Sequence, residues 1–442
     1  MVKGTGRRGP SPGRAAALAV LAASRRGVFL DRALAEVLSR RRLARRDTTF
    51  AEQAVKVVVR HRRRLAWELE GAGARWGDLP PVVRDIMLLG AAEITIIRTP
   101  VYAAVDEAVE ATRAAGFEAL TAAVNAVLRR LAAEGPRPVQ ETDDVARLAL
   151  AYSFPEWLAA RWAARLGVEE AARLLAAHNA GPPLTVCPCP DEGVRARLKE
   201  DLTRARVAVS DAPYDCWALK LGDVGLKKVP GFADGRFVVL DPASTLAPRW
   251  LAPPSGATAL DLCAGAGGKT VQLAWAVGPT GRVVAVDRDR RKIALLKKTV
   301  ARFGLANVEV AASDVAVDPL PAAAYVLLDA PCTNLGVIRH KPDVKGRVRE
   351  DDIGRCAEAE RALLFNALQA VVSGGRLVYN VCTTEPEETN EVVAAALDAT
   401  PGFRLAPCRP PWRDVRDGSY LRTWPHRDGV NGNFAALLER VP

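Results

Sequence analysis

Leu260-Asp-Leu-Cys-Ala-Gly-Ala-Gly-Gly-Lys-Thr270 decides how the C-terminal half of this chain folds. Its first residues belong to an apolar, strand-like run over 259–263, and its last open a helical pattern over 269–277. The glycines between them let backbone amides approach a ligand and let the helix pack close to the strand. The alternation continues downstream. Strands are expected over 282–287, 308–311, 325–329 and 376–381, with helices over 291–303, 353–372 and 387–399 and a closing strand over 433–440. This pattern specifies a doubly wound, Rossmann-like α/β sheet, mostly parallel, whose ligands bind outside the carboxyl ends of the strands. Every candidate site residue below falls at such an end.

The loop is not a Walker A turn. G-x-x-x-x-G-K-[ST] needs glycine where Cys263 stands, although Gly268-Lys-Thr270 matches the end of that motif. Nor does it fit the dinucleotide fingerprint G-x-G-x-x-G, because Thr270 occupies the third glycine position. Two acids narrow the choice. Asp287 closes the next strand, where a carboxylate accepts hydrogen bonds from ribose hydroxyls. Asp314 ends the following strand region, where it can take an adenine amino group. An acid after each of these strands matches S-adenosylmethionine better than a dinucleotide. The candidate cofactor residues are Cys263, Ala264, Gly265, Ala266, Gly267, Gly268, Lys269, Asp287 and Asp314. The plain structural alternative for the two acids is turn capping.

Two cysteines end strand-like runs in the same half, in Val326-Leu-Leu-Asp-Ala-Pro-Cys332 and Arg376-Leu-Val-Tyr-Asn-Val-Cys382. Loop cysteines beside a nucleotide-type cofactor point to covalent catalysis on an electrophile. Methylation at C5 of a pyrimidine has that requirement. A thiolate adds to C6, C5 becomes nucleophilic enough to take a methyl group, a base removes the C5 proton, and the thiolate leaves. Position alone does not rank the two cysteines, because both follow strands.

At 442 residues the chain exceeds one ordinary core. No run of about 18 uncharged apolar residues suggests a membrane span, and no signal-peptide pattern opens the chain, so a cytoplasmic location is expected. Eight scattered cysteines do not make a disulfide framework. Cys187-Pro-Cys189 has no second pair and the chain has four histidines, so no metal site is expected. The net charge is +11, and residues 1–140 hold 24 Lys+Arg against 14 Asp+Glu. The densest clusters are Arg40-Arg-Arg-Leu-Ala-Arg-Arg46 and Arg60-His-Arg-Arg-Arg64, which read as a phosphate-contact surface or as solvated helix faces.

The domains expected are a basic disordered arm over 1–14, an all-α domain over 15–135, linker helices and a small α+β module over 145–240, and the α/β domain over 241–442. Helical spacing marks 15–24, 29–44, 49–70, 80–96, 103–115 and 118–133. Two more helices are expected over 145–180, with Ser153 as a cap and Pro155 in a first turn.

Asp329-Ala-Pro-Cys-Thr333, extended by Gly336-Val-Ile-Arg339 and Pro342-Asp343, resembles motif IV of the Nol1/Nop2/Sun RNA cytosine-5 methyltransferases. Ser373-Gly-Gly-Arg-Leu-Val-Tyr-Asn-Val-Cys-Thr383, followed by Pro386-Glu-Glu388, resembles their motif VI. Pro425-His-Arg-Asp-Gly429 is a further match, and Glu107-Ala-Val-Glu-Ala-Thr112 through Ala123-Val-Asn-Ala-Val-Leu-Arg129 is similar to the helical RNA-binding fold of NusB. The resemblance implies Cys382 as nucleophile, Cys332 as the residue that helps release the methylated base, and Asp329 against the cytosine ring and the cofactor edge. DNA cytosine enzymes, with a Pro-Cys nucleophile, would favour Cys332 instead. The resemblance further implies S-adenosylmethionine as cofactor and 16S ribosomal RNA as partner; a monomer is expected. Ala266, Asn334, Asn380, Val381 and His340-Lys341 depart from the family's usual residues. These departures motivate a second reading, an RNA-binding assembly factor with an inactive catalytic domain; a third is the same chemistry on another RNA.

Overall fold

The computed structural model describes residues 9–215, 217–222, 224–408 and 415–441, so Cys216 and residues 1–8 of the expected arm lie outside the described residues. The chain divides into two compact units, Met1–Asn179 with Lys341–Arg347, and Ala180–His340 with Val348–Pro442. No helix among the described residues is long and apolar enough to cross a membrane.

The first unit is helical: α1 (Pro12–Arg25), α2 (Leu30–Ser39), α3 (Arg45–Gly71), α4 (Pro81–Ala92), α5 (Val101–Ala114), α6 (Thr121–Glu134), α7 (Asp144–Ala151), α8 (Glu156–Leu166) and α9 (Val168–Asn179). Proline in the first turn starts α1 and α4 at no cost in amide pairing. Leu21, Val58, Leu69, Leu88, Val105 and Leu128 meet in one core. α1 begins inside the stretch expected to be a disordered arm. Three helices rather than two fill 145–180, because Gly167, at φ +84°, ends α8 early. Ser153 does not cap α8. Its hydroxyl accepts from Arg63 N at 2.8 Å and Arg64 N at 3.3 Å, next to the kink in α3 at His61. An interrupted helix leaves amides in need of acceptors, and that need wins over the cap.

Lys341–Arg347 lies in the second half of the chain but folds with this unit. Asp343 accepts from Leu30 N at 2.9 Å, capping α2, while Arg347 donates to the carbonyls of Ser24, in the last turn of α1, and of Gly27 and Val28 just past it. Lys345 Nζ reaches Arg60 O at 2.6 Å and Asn179 Oδ1 at 3.0 Å and lies 4.0 Å from the Phe154 ring centroid.

In the second unit, β1 (Leu184–Pro188), β2 (Val209–Asp211), β3 (Leu219–Leu221) and β4 (Phe237–Val239) form an antiparallel sheet in the order β2-β3-β1-β4. With α10 (Glu192–Arg204) it makes the small α+β module, whose core includes Val186, Leu198, Leu202 and Phe237. Cys187 is buried beside Ala218, Val238 and Val271, a packing role.

The second sheet holds β5 (Thr258–Leu262), β6 (Arg282–Asp287), β7 (Val308–Ala312), β8 (Ala323–Asp329), β9 (Val371–Val381), β10 (Phe403–Leu405), β11 (Arg416–Asp417), β12 (Tyr420–Thr423) and β13 (Asn433–Arg440). The order is β11-β12-β13-β9-β8-β5-β6-β7, with β10 on β13. Strands β5 to β9 are parallel, whereas β10 to β13 are antiparallel, a larger antiparallel share than the alternation predicts. The short turn at Gly418 (φ +62°) closes a hairpin where no crossover helix intervenes. Chain order reverses between β5 and β8, which makes the switch point where ligands bind in such sheets. The helices of this unit are α11 (Ala243–Leu251), α12 (Gly268–Val277), α13 (Arg290–Arg302), α15 (Glu350–Gln369), α16 (Asn390–Ala399) and the short α17 (Pro425–Asp428), with α14 (Val344–Arg347) in the excursion. α15 stops before the expected residue 372 because Val371 already pairs with Ala323 in the sheet.

Candidate active site

Strand register builds the site. β8 and β9 are parallel neighbours with Asp329 opposite Asn380, so the loops that follow them leave side by side. Cys332 and Cys382, 50 residues apart, come together with their sulfurs 3.3 Å apart. The loops also lock to each other. Gly336 N donates to Cys382 O at 3.0 Å and Gly432 N to Gly336 O at 2.8 Å. A Cβ at Gly336 would stand 2.1 Å from Gly432 O and 2.8 Å from Cys382 O, so only glycine fits at this crossing.

The charged groups lie on either side of the pair. Lys269, in the first turn of α12, donates to Asp329 Oδ2 at 2.7 Å, and Asn380 donates to Asp329 Oδ1 at 2.6 Å. Burial would lower the Lys269 pKa, but Asp329 outweighs it with help from the field of Cys382, so the ammonium is held above its ordinary value. Cys382 donates to Asn334 Oδ1 at 3.1 Å. Asn334 stands at φ +63°, a region that asparagine tolerates better than most residues, and its amide also reaches Cys332 O at 2.7 Å. The hydrogen bond to Cys382, then burial, then Glu388 and Glu360 push the Cys332 thiol well above its ordinary value. Cys332 therefore keeps its proton at neutral pH.

On the cofactor side, Cys263, Gly265 and Gly267 have φ of +62°, +60° and +92°. Left-handed residues alternating in a loop turn successive amides toward one side, where an anionic or polar ligand group can sit. Cys263 is strained as a non-glycine residue, and burial pushes its thiol up to about 12, so it is a poor third nucleophile. Asp287 accepts from Gly265 N at 3.0 Å and Asp289 N at 2.8 Å. A carboxylate offers about four lone-pair directions, so two remain for a ribose diol. Asp314 accepts from Ala316 N at 3.1 Å and faces Arg288 at 3.3 Å, which is the capping role with room for a further donor. Beneath the loop Asp261 is fully buried and accepts from Thr270, while its Oδ1 has no partner. An open acceptor under the glycine turn and spare lone pairs on Asp287 fit a ligand with hydroxyl and ammonium donors, as S-adenosylmethionine has.

The structure thus brings Asp329, Lys269, Cys332 and Cys382 into one cluster at the switch point, beside the loop from Cys263 to Gly268 and the acids Asp287 and Asp314. The sequence reading missed Asn334 and Asn380, taking them only as departures; both hydrogen-bond the candidate catalytic groups. It also gave no role to Glu360 and Glu388. A polar Asn380 inside the apolar run Leu377–Val381 was the available signal, since a buried strand seldom spends a position on an unpaired amide.

Residues 248–439 match the family model 16S rRNA methyltransferase RsmB/F, and residues 11–133 match the NusB family. A relative from Thermus thermophilus, called ribosomal RNA small subunit methyltransferase B, is 34% identical over 97% of this chain and 98% of its own. A Bacillus subtilis protein, called probable ribosomal RNA small subunit methyltransferase B, is 32% identical over 78% of this chain and 79% of its own. The solved structure of PH0851 superposes with a TM-score of 0.83 at 25% identity, over 98% of this chain and 99% of that one. With relatives above 30% identity along nearly its full length and both halves matched by their models, the chain belongs to the RsmB/F family of S-adenosylmethionine-dependent methyltransferases, carrying a NusB-type helical domain at its N-terminus.

Proposed function

We infer that this chain methylates C5 of a cytosine in 16S ribosomal RNA through a covalent adduct between Cys382 and C6. The observation that carries the reading is the pair of sulfurs 3.3 Å apart beside the Lys269–Asp329 ion pair at the switch point of the sheet. Bound S-adenosylmethionine would supply an electrophilic methyl sulfonium. Cys382 and the Lys269 ammonium interact across the site, and the hydrogen bond that Cys382 donates to Asn334 Oδ1 aims its sulfur. Asp329, held by Lys269 and Asn380, is oriented to take the donor edge of the ring. Cys332 is the protonated partner that acts when the enzyme lets go of the methylated base. A base inside a helix cannot receive a thiolate on C6, so the target is flipped out or single-stranded. The helical domain would contribute phosphate contacts that orient the RNA without reading sequence. A cytoplasmic monomer is the working expectation.

Purified protein incubated with tritiated S-adenosylmethionine and unmethylated 16S RNA, followed by bisulfite mapping, tests the reading. One modified cytosine is expected. Cofactor binding without transfer would point to another RNA; no binding would favour an inactive assembly factor.

A further inference from the structure

Packed against Cys332 is a pair of carboxyl groups that the mechanism above does not use. The Cys332 sulfur and one carboxylate oxygen each from Glu360 and Glu388 lie within 4.8 Å of one another. Both glutamates are fully buried, Glu360 on α15 and Glu388 in the turn Pro386–Glu388 after β9. Their surroundings differ. Glu388 accepts from Thr333 N at 2.7 Å, Thr333 Oγ1 at 2.6 Å and Thr383 Oγ1 at 2.9 Å, so it is bonded to the residue after each cysteine. Neither oxygen of Glu360 meets hydrogen-bond geometry, although Tyr379 and Glu388 are near enough to bear on its titration. Burial first, then the charge of Glu388, pushes Glu360 up to about 10, so it is neutral at physiological pH. Burial also raises Glu388, against the threonine donors that favour its anion and together with nearby Glu385. The other titratable groups facing the pair are Tyr379 on β9, Cys356 on α15 and the two site cysteines. The Glu391 carboxylate of α16 is exposed. The pair therefore sets a neutral Glu360 beside a Glu388 whose three donors favour its anion.

We propose that Glu388, packed against Cys332 and bonded to Thr333 and Thr383, is the final acceptor of the C5 proton, which reaches it through Cys332 when the methylated base is released. The proposal rests on the cytosine-C5 reading above. In this step the C5–H bond breaks and its proton goes to the Cys332 sulfur, while the Cys332 thiol proton moves to the Glu388 carboxylate. The electron pair of the C5–H bond forms the C5–C6 double bond. The C6–S bond breaks and its pair leaves on Cys382 as thiolate. One proton is transferred in total, from C5 to Glu388, and Cys332 begins and ends as a thiol. Handing its proton on in the same event spares Cys332 from standing as an isolated thiolate among carboxyl groups. Glu388 acts through Cys332 and touches no substrate, so it is a positioning residue with a proton-accepting role.

The test compares the full-length wild type, Glu388→Gln and Glu360→Gln on unmethylated RNA with tritiated S-adenosylmethionine. It follows the protein–RNA adduct on denaturing gels and release of 5-methylcytosine between pH 5.5 and 9. Glu388→Gln is expected to form the adduct at the wild-type rate and release it about a hundredfold more slowly, the low end of what one proton acceptor contributes. Wild-type release is expected to fall toward acid pH as Glu388 becomes protonated, and Glu388→Gln to lose that limb. Glu360→Gln, which mimics the neutral acid, is expected to keep both rate and limb. Equal loss of adduct formation and release in Glu388→Gln would reduce Glu388 to a clamp and overturn the proposal. So would unchanged release in Glu388→Gln, or a release defect confined to Glu360→Gln. Absence of 5-methylcytosine with the wild type would instead remove the reading on which the proposal stands.

Discussion

Lys269 interacts with Cys382 across the site, while the hydrogen bond to Cys382, then burial, then Glu388 and Glu360 push the Cys332 thiol up. The strongly raised thiol is Cys332, so Cys382, 3.3 Å away, is the sulfur that the proposed mechanism uses as nucleophile. Cys382→Ala is accordingly expected to abolish both methyl transfer and adduct. Cys332→Ala is expected to retain adduct formation and accumulate a covalent protein–RNA species on denaturing gels. Adduct-free loss of the same size in both variants would refute the division of labour. Glu360 carries a thermodynamic consequence as well. Its pKa is about 10 against an ordinary 4.5, so the folded state binds this proton more tightly than the unfolded one. The stability it contributes is complete below about 4.5 and is lost as pH rises toward about 10. Glu360→Gln removes that loss, and its Tm relative to wild type should climb between pH 6 and pH 9. A difference that does not change with pH would contradict the assignment of a neutral, buried acid.

Elements reach the site through close backbone crossings rather than through side chains alone. Gly336 sits where the loop after β8 meets the loop after β9 and the turn at Gly432, and backbone atoms there cannot yield to a methyl group 2.1 Å away. Gly336→Ala should therefore pull the cysteines apart and abolish 5-methylcytosine formation. The cofactor loop lies after β5, so S-adenosylmethionine affinity measured by calorimetry should stay close to wild type. In the helical unit, the N-terminus of α2 takes its cap from Asp343, some 313 residues away in sequence, at 2.9 Å. Asp343→Ala uncaps α2 and deprives Arg347 of its 3.0 Å partner. A loss of about 1–3 kcal/mol is expected from urea unfolding, the sum of a lost cap and a buried donor left unmatched.

Across the whole molecule the charge of +11 is not all available to a partner. Within the cluster at 60–64, Arg62 pairs with Asp85, Arg63 with Glu156 and Arg64 with Glu68, and Arg60 is buried. Those arginines are engaged within the protein, although Arg62 and Arg63 keep about two fifths of their side-chain surface exposed. Arg40, Arg41 and Arg42 are exposed, Arg40 in a surface ion pair with Glu36, and Arg45 and Arg46 are exposed too. Replacing Arg40, Arg41 and Arg42 together with alanine should weaken RNA binding uniformly across sequences. It should also flatten the plot of log K against log salt by up to about three contacts' worth of slope. A steep slope that survives the triple substitution would place the phosphate contacts elsewhere.

Read alone, the chain determined a helical first part, the α/β class of its second half and the glycine-rich turn between a strand and a helix. These are local properties: glycines between a strand and a helix, acids and cysteines at strand ends, and a period that switches between two and 3.6 residues. Expectations failed where a partner distant in sequence decided the outcome. α15 ended early because Val371 paired with β8, and Ser153 left its cap for the kink in α3. Only the tertiary structure made β8 and β9 neighbours and so joined two cysteines from different loops. It alone turned Asn334 and Asn380 from departures into hydrogen-bonding partners, and set Glu360, from a helix, against Cys332. The reason is physical: which proton a group keeps depends on charges, donors and burial within a few ångströms, and sequence does not index that distance.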